Sequence, residues 1–385
     1  MFAKMLSAIV VVSIAFGLHE ELAHADPGKD LRIIPVIVNG QKVRFPDTEP
    51  YINTDGRTMV PVRFVSEMLG ANVKWEAGTQ SAIINYEGKT IQMSVGSQIV
   101  MVNGQVTELD TAAEFTDGRT MVPLRFVSEV LGSTVEWDDG AHAVKVTDAK
   151  YQTKIDAGEV KLDPWGREYS KNYDANWMKL TDLESAKFYD FYGAKPSRYF
   201  LEPKNEDVAF FKETADVLSS KIRKYYEAQL NIDYRTVDAD KLIQVLLDSS
   251  SGVRNMNAFY IDQTKKMVAD YVSWVKKNKV VARGYADPEM SSVYKPDNSG
   301  LMFWVPTHFK FMIISADDTA QTFLDNYKVS STSDSFKLKK GVWYDGYSVV
   351  SMTTNVANST WGKSYGIRHT ENMFYKNSYF YNVVE

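Results

Sequence analysis

Two short motifs match patterns of nucleophilic catalysis. One is G-x-S-x-G at Gly362–Gly366, and the other is S-x-x-K at Ser292–Lys295. The first pattern needs a helix after the serine and then an acid and a histidine further along the chain, but strand-like residues follow Ser364. The second needs a helix that carries both residues, and Pro296 argues against one. We interpret both matches as chance, and the first as a glycine-flanked turn.

Carboxylates near the ends of predicted strands are the remaining catalytic option. These residues are Glu289, Asp317, Asp318 and Asp345. A glycosidase needs two such groups about 5–10 Å apart, and the sequence does not place them relative to one another. Acidic residues at turns and helix starts usually act as caps. An extracellular hydrolase acting on wall glycan is therefore the alternative hypothesis.

Aromatic side chains crowd the last predicted strands, interleaved with Asn, Ser, Thr and Gly. Rings beside amide and hydroxyl groups suit sugars, whose apolar faces stack while their hydroxyls form hydrogen bonds. The candidate ligand-binding residues are Trp343, Tyr344, Tyr347, Trp361 and Tyr365. The competing explanation is the ordinary preference of strands for aromatic residues, whose rings pack across neighbouring strands.

The elements before these strands include a long internal repeat. DGRTMVPVRFVSEMLG begins at Asp55, and DGRTMVPLRFVSEVLG begins 62 residues later at Asp117. The same offset pairs Trp75 with Trp137. Strings this long and this similar indicate that residues 33–148 are a duplicated module.

Each copy combines a turn, a helix and strands. Asp-Gly supplies the turn, a proline suits the first helical position, and a glycine caps the helix in a left-handed conformation. A V-x-W strand follows, and VNGQ at Val38–Gln41 and Val102–Gln105 fits a hairpin turn. The structural residues are Gly56, Arg57, Pro61, Arg63, Gly70 and Trp75 in the first copy, and Gly118, Arg119, Pro123, Arg125, Gly132 and Trp137 in the second. The pattern predicts a small antiparallel sheet packed on one short helix.

The repeated charges have two explanations. They are Arg57, Arg63 and Glu67 with their counterparts Arg119, Arg125 and Glu129. Charged residues repeated in two modules would suit a ligand-binding array. A solvated helix face with an Arg–Glu pair four residues apart explains them equally, and we favour it because nothing chemically reactive accompanies them.

The VNGQ, DGRTMVPxRFVSExLG and V-x-W pattern resembles the copper amine oxidase N-terminal-like domain, or stalk domain, of exported Gram-positive bacterial proteins. The resemblance covers about residues 33–148 and implies a non-catalytic α+β accessory module. It implies no amine oxidation. Amine oxidases form their quinone cofactor from the tyrosine of a T-x-x-N-Y-D/E motif, and Asn172–Asp174 resembles the end of this motif, but Tyr169 occupies the position of the threonine. Copper would need three imidazoles, and His142, His308 and His369 are isolated. We predict no metal site and no cofactor.

The N-terminus predicts export. Lys4 precedes an apolar run at Met5–Leu18, and A-x-A ends at Ala25, so cleavage is expected between Ala25 and Asp26. The run is shorter than the roughly 20 residues of a spanning helix, and we expect no transmembrane segment in the mature chain. We therefore expect the protein to be secreted, and to be extracellular or associated with the cell wall. Its net charge of −5 argues against nucleic acid, and without cysteine its domains must be stable through core packing.

The remaining chain predicts an α+β arrangement. A signal peptide (1–25), the duplicated region (33–148) and a polar linker (149–180) precede a C-terminal domain (181–385). In that domain, apolar spacings of three and four predict helices first, and a curved antiparallel sheet follows. The leading hypothesis is a secreted, non-enzymatic envelope protein. Its tandem antiparallel sheet-plus-helix modules would tether or present a C-terminal domain that binds a wall or matrix polymer.

Overall fold

The computed structural model of the protein describes residues 33–46, 48–168, 208–250, 258–293, 302–327, 338–353, 365–368 and 380–384. Several predictions from the sequence fall outside these residues. They are the signal cleavage site at Ala25 and Asp26, the ring of Trp361, and Ser364 of the G-x-S-x-G motif.

The first copy of the repeat follows an N-terminal hairpin. That hairpin consists of β1 (Val36–Val38) and β2 (Gln41–Lys42). The first copy then supplies β3 (Tyr51–Ile52), β4 (Thr58–Pro61), helix α1 (Val62–Met68), β5 (Asn72–Glu76), β6 (Ser81–Tyr86) and β7 (Lys89–Ser94). Strands β8 (Ile99–Val102) and β9 (Gln105–Glu108) form the hairpin around the second VNGQ turn. Strands β5 to β9 form one antiparallel sheet in chain order.

The second copy repeats these elements as far as the V-x-W strand and its partner. It supplies β10 (Glu114–Thr116), β11 (Arg119–Pro123), helix α2 (Leu124–Val130), β12 (Ser133–Asp138) and β13 (Ala143–Asp148). Helix α3 (Ala149–Asp156) then begins at once, because the Asp148 side chain accepts a hydrogen bond from the Tyr151 N–H at 2.7 Å. The chain therefore does not return as a counterpart of β7.

The two copies face each other through the repeated segment itself. Strands β4 and β11 pair antiparallel in a sheet of order β10-β11-β4-β3. Val60 lies opposite Val122, which occupies the same position of the repeat. Such self-complementary pairing is the arrangement expected of two equivalent units around a twofold axis.

The N-terminal hairpin pairs with the second copy and contributes to a core shared by both copies. In the sheet of order β12-β13-β1-β2, β1 pairs parallel with β13, so that Val36 lies beside Val144. Residues of both copies then form a single core, in which Val65 of α1 and Val127 of α2 are fully buried. The modules predicted as tandem units thus share one core, and one of their sheets contains a parallel pair.

The start of each repeat helix differs from the prediction by one residue. Pro61 and Pro123 end β4 and β11 with ψ of 113° and 118°, and the helices begin at the following residue. The reason is the strand pairing, which continues through Pro61 opposite Met121. Gly70 has φ of +88°, and the N–H groups of Gly70 and Ala71 bond the last free carbonyls of α1.

The C-terminal part places helices before an antiparallel sheet. Its helices are α4 (Val208–Leu230), α5 (Ala239–Ser249), α6 (Ala258–Lys277) and α7 (Leu324–Tyr327). Its strands are β14 (Ile232–Asp233), β15 (Val281–Pro288), β16 (Met302–Ser315), β17 (Trp343–Thr353), β18 (Gly366–Ile367) and β19 (Phe380–Val384). The order is β14-β15-β16-β17-β18, with β19 also paired to β17. The predicted α+β class is confirmed.

The C-terminal core also contains residues of the second copy of the repeat and of the predicted linker. Leu218 and Ile222 of α4 pack toward the sheet, and Trp165 joins the same buried cluster with Ala141 and Ala143 of the second copy. Trp165 is 4% exposed, and its indole N–H donates to Asp216 at 2.8 Å. The division into domains near residue 148 stays a prediction, although these contacts cross it.

Candidate binding cleft between the duplicated region and the C-terminal sheet

A cleft of about 310 Å³ lies where the N-terminal hairpin meets the C-terminal sheet. The duplicated region contributes Lys42, Arg44, Phe45, Pro46 and Glu49, and the sheet contributes Tyr285, Asp287, Glu289, His308, Asp345 and Tyr347. Both sides carry charged groups, and the sheet side also carries aromatic rings.

Strand register explains why the sheet presents so many polar groups on this face. Tyr285, Lys310 and Asp345 are cross-strand partners on β15, β16 and β17. Asp287, His308 and Tyr347 are also cross-strand partners, and each lies two residues along its strand from the first set. Because alternate residues of a strand point to the same side, all six side chains share one face.

A buried ion network forms the floor of the cleft. Lys42 of β2 pairs with Asp287 and, at 2.7 Å, with Glu289. Arg167 pairs with the other carboxylate oxygen of Glu289, and Arg223 lies 3.3 Å from Asp287. The carboxylates are 1% and 4% exposed, so each is held by cations from two other segments of the chain.

The network shifts the ionisation of its members. Burial alone would raise the pKa of Glu289, but the charges of Lys42 and Arg167 outweigh it and lower that pKa. Burial alone would lower the pKa of Lys42, and the charges of Asp287 and Glu289 outweigh it, so that this pKa is raised. Glu289 and Lys42 are therefore both charged at neutral pH, and their interaction ties the hairpin to the sheet.

Glu49 forms a second buried cluster beside the network. Its carboxylate accepts hydrogen bonds from the Tyr285 hydroxyl at 2.7 Å and from Lys310 at 3.2 Å. Burial raises the pKa of Glu49, and the nearby Lys310 and Tyr285 only partly offset this effect. Burial and the adjacent Glu49 in turn raise the pKa of Tyr285. Lys310, which is 1% exposed, also donates to the Pro46 carbonyl.

An aromatic row extends from the interior to the rim. Tyr285 and His308 have ring centroids 5.8 Å apart, and His308 and Tyr347 have centroids 4.9 Å apart. His308 Nε2 lies 2.5 Å from Asp345 Oδ1, and this contact lowers the pKa of Asp345 despite the opposing effect of its burial. At the exposed rim, the Arg44 guanidinium lies 6.0 Å from the centre of the Tyr347 ring. Polar and stacking groups therefore face the same opening.

The aromatic residues singled out from the sequence separate into two groups. Tyr347 lines the cleft, and Trp343 lies on the same strand, half-buried, with Lys310 Nζ 5.5 Å from its ring centre. Tyr344 and Tyr365 are buried, and they pack against Phe311 and Phe303, respectively. For Tyr344 and Tyr365, packing across strands explains the residue type, since neither ring faces solvent.

The four candidate carboxylates also separate. Glu289 and Asp345 both line the cleft, whereas Asp317 and Asp318 are exposed beyond the end of β16 and do not. Both oxygens of Glu289 are bound by cations. Sequence reasoning missed Lys42, Glu49 and Arg167. No local pattern marks these three residues, but the alternation of polar residues in YAD, HFK and YDGY could have indicated the side of the cleft that the C-terminal strands form.

Of the repeated charges, Arg63 and Arg119 line the same groove beside β5, and the other four do not line it. Arg63 lies 3.9 Å from Glu67 on the exposed face of α1, and Arg125 and Glu129 are exposed on α2. Arg57 pairs with Asp110, while the Arg119 guanidinium lies 5.6 Å from the centre of the Phe64 ring. This arrangement fits the solvated helix face that the spacing favours.

Comparison with known proteins supports the resemblance of the duplicated region. Residues 37–146 match the family described as the copper amine oxidase N-terminal domain, and this region belongs to that family. A protein from Brevibacillus choshinensis, named as a protease inhibitor, is 30% identical over 139 residues. The match covers 36% of this chain and 40% of the relative, so the chain spans well under half of that protein's length. No solved structure matches the chain.

Among the described residues, no helix has both the length and the apolar character that crossing a membrane requires. Within the same part of the chain, no group of three or more His, Asp and Glu side chains is arranged to hold a metal ion.

Proposed function

We propose that the protein is an exported, non-enzymatic binding protein of the cell envelope. In this proposal the duplicated region tethers and presents the C-terminal domain, and the cleft receives a segment of a wall or other extracellular polymer. The observation that supports it best is the arrangement of the cleft, where buried carboxylates are already paired while Tyr347, His308 and Arg44 face the opening. The signal-like N-terminus supports export, and N-terminal sequencing of the mature protein should begin at Asp26.

The chemistry of the opening favours a polar polymer. The neighbouring His308 and Tyr347 rings, tilted by 32° to each other, offer a surface for the apolar face of a sugar, and Asp345 can accept hydrogen bonds from hydroxyl groups. Arg44 at the rim suits a carboxylate or phosphate on the same polymer. A few oriented polar groups beside aromatic rings are the usual composition of a ligand pocket.

The binding test uses the mature chain and purified cell wall. Because few groups dominate a small site, we expect Tyr347→Ala and Arg44→Ala each to weaken binding to the wall at least about tenfold. Phe259→Ala is the control, since that ring is 63% exposed on helix α6 and lies outside the cleft. Failure of the unaltered protein to bind wall material, or equal binding by all three variants, would remove the proposal.

A hydrolase is the alternative, because Glu289 and Asp345 share the cleft. Two observations weigh against it. Glu289 has a cation on each oxygen, and Asp345 is bound by His308, so neither carboxylate is placed to exchange a proton with a substrate without first losing a partner. Release of reducing ends from purified wall by the mature protein, abolished by Asp345→Asn, would establish the enzyme instead.

A second candidate function follows from the relative that is named as a protease inhibitor. This candidate function predicts that the mature chain inhibits a secreted serine protease, such as subtilisin. Inhibition should be complete at a fixed molar ratio of the chain to the protease. Titration of protease activity on a small chromogenic substrate tests this directly. Progressive cleavage of the chain without loss of protease activity would exclude this candidate and leave the binding proposal intact.

A further inference from the structure

A second groove lies outside the cleft, at the junction of the two copies of the repeat. It measures about 190 Å³ and runs between β5 and the β10–β11 hairpin. The side chains that give it its character are Arg63, Phe64, Lys74, Trp75, Phe115 and Arg119. Trp75 is 42% exposed and Phe115 is 58% exposed, with ring centroids 6.3 Å apart. Two large rings are thus held side by side at the surface.

The strands that flank this groove are sheet edges. Among the described strands, β5 pairs with β6 alone, and β10 pairs with β11 alone. In an antiparallel pair, every second residue directs its N–H and C=O away from its partner. Backbone groups of β5 are therefore available to an added strand, which is the way many domains take up an extended peptide.

Cations converge on the same groove in a protein whose net charge is −5. Lys74 is exposed on β5, Arg63 stands at the start of α1, and Arg119 comes from β11. The acidic residue near Arg63 is Glu67, at 3.9 Å. Both side chains are exposed, so this ion pair contributes little stabilisation. The local charge therefore favours an anionic occupant over a neutral or basic one.

The duplication supplies an internal comparison. Glu136 takes the place of Lys74 in the second copy, and Asn53 takes the place of Phe115. Trp137, the counterpart of Trp75, has its ring 6.1 Å from that of His142, and its indole N–H donates to Asp139. Of the two V-x-W strands, β5 is therefore the one beside which cationic and aromatic side chains come together.

We propose that this groove binds an extended, acidic peptide segment of a partner protein. The segment adds as a strand beside β5, its carboxylates meet Lys74, Arg63 and Arg119, and an apolar side chain packs on the exposed surface of the Trp75 and Phe115 rings. This site is separate from the polymer cleft, and neither depends on the other.

The experiment is a selection of random dodecapeptides displayed on phage, with the mature chain as target. We expect enriched peptides to be rich in Asp and Glu and to alternate these with apolar residues. Their binding should fall at least tenfold for Trp75→Ala and for Lys74→Glu. Trp137→Ala is the matched control, because Trp137 is similarly exposed at 45%, and it should leave binding unchanged. Thermal melting verifies that each variant is folded.

Two outcomes would overturn the inference. One is the absence of any enriched peptide whose binding depends on Trp75 and Lys74. The other is binding of anionic polysaccharides, such as polygalacturonate, that is lost in Trp75→Ala while no peptide is selected, since the groove would then recognise a glycan. Wall binding through the cleft is measured with the same variants and should remain, which keeps the two proposals distinguishable.

Discussion

At the scale of single residues, Lys42 is the group on which the buried network depends. Lys42→Met leaves Asp287 and Glu289 with fewer cations in a site where both carboxylates are almost fully buried. Breaking a buried ion pair by removing one partner costs about 3–5 kcal/mol. We expect the free energy of unfolding in urea to fall by that order. Lys150→Met is the control, because the exposed Lys150–Glu87 pair should contribute nothing measurable, and equal stability of the two variants would contradict the prediction.

Acid titration should show the same network. The folded pKa of Glu289 lies below its ordinary value of 4.5, so its contribution to stability is complete above about pH 4.5 and is lost as the pH falls toward the folded value. We expect the free energy of unfolding to decrease with acidification in that range. The measurement is urea unfolding at a series of pH values. Glu289→Gln should reduce the slope, and an unchanged slope would show that other carboxyls cause the loss.

The residue types of this site were visible in the sequence, but their partners were not. Glu289 and Asp345 could be named as carboxylates near strand ends. The ionisation of Glu289 depends on Lys42, which lies 247 residues before it. The ionisation of Asp345 depends on the strand pairing that brings His308 next to it. Contacts between such distant segments depend on the fold as a whole, and no local spacing reports them.

At the scale of elements, helix α1 carries the shared core of the duplicated region. Val65→Asp would place a charge where the side chain is fully buried, among residues of both copies. A buried unpaired charge should cost several kcal/mol, on the order of a domain's total stability. Because the core is continuous, we expect both copies to unfold together, as seen by circular dichroism and fluorescence of Trp75 and Trp137.

The control for this prediction lies on the same helix. Arg63 faces solvent beside Glu67, so Arg63→Ala should cost under about 1 kcal/mol. If Val65→Asp removed the structure of one copy only, with the other melting as before, the copies would have separate cores. That result would restore the tandem arrangement predicted from the repeat.

Local pattern and long-range pairing explain which elements were predictable. The helices of the repeat, the V-x-W strands and the amphipathic helices after residue 207 follow from spacing and capping residues, and the structure has them. The parallel pairing of β1 with β13 does not follow, because the repeat itself predicts a return strand like β7. Helix α3, begun by the Asp148 cap, takes the chain away and leaves that place to β1.

At the scale of the whole molecule, the second copy is the one that holds the C-terminal part. Lys212 of α4 bonds Asp138 at 2.9 Å and Asp216 at 2.7 Å, and Asp216 accepts the Trp165 indole N–H. Burial alone would raise the pKa of Asp138, but hydrogen bonds from Lys145 and Lys212 outweigh it and lower the pKa to about 2. The equivalent turn of the first copy has no such neighbour at Gly78.

The repeat therefore offers a matched pair of glycines to test how the two parts are joined. A Cβ on Gly140 would come within 2.9 Å of the Asp216 Cγ, whereas a Cβ on Gly78 would meet nothing within 4 Å. We expect Gly140→Val to displace the Asp216 carboxylate and so to weaken the Lys212 and Trp165 contacts that join α4 to the second copy. Gly78→Val, at the same position of the first copy, should leave the molecule unchanged.

Limited proteolysis measures this separation. In the unaltered chain, the burial of Trp165 should slow cleavage between residues 149 and 168, since proteases need a locally open segment. Gly140→Val should raise the cleavage rate there several-fold and release a fragment that contains the duplicated region. Thermal unfolding should change in parallel, from one transition to two. Equal cleavage rates for Gly140→Val and Gly78→Val would mean that the contacts around Asp216 do not hold the two parts together, and that the contacts of the cleft, including those of Lys42 and Glu49, do so.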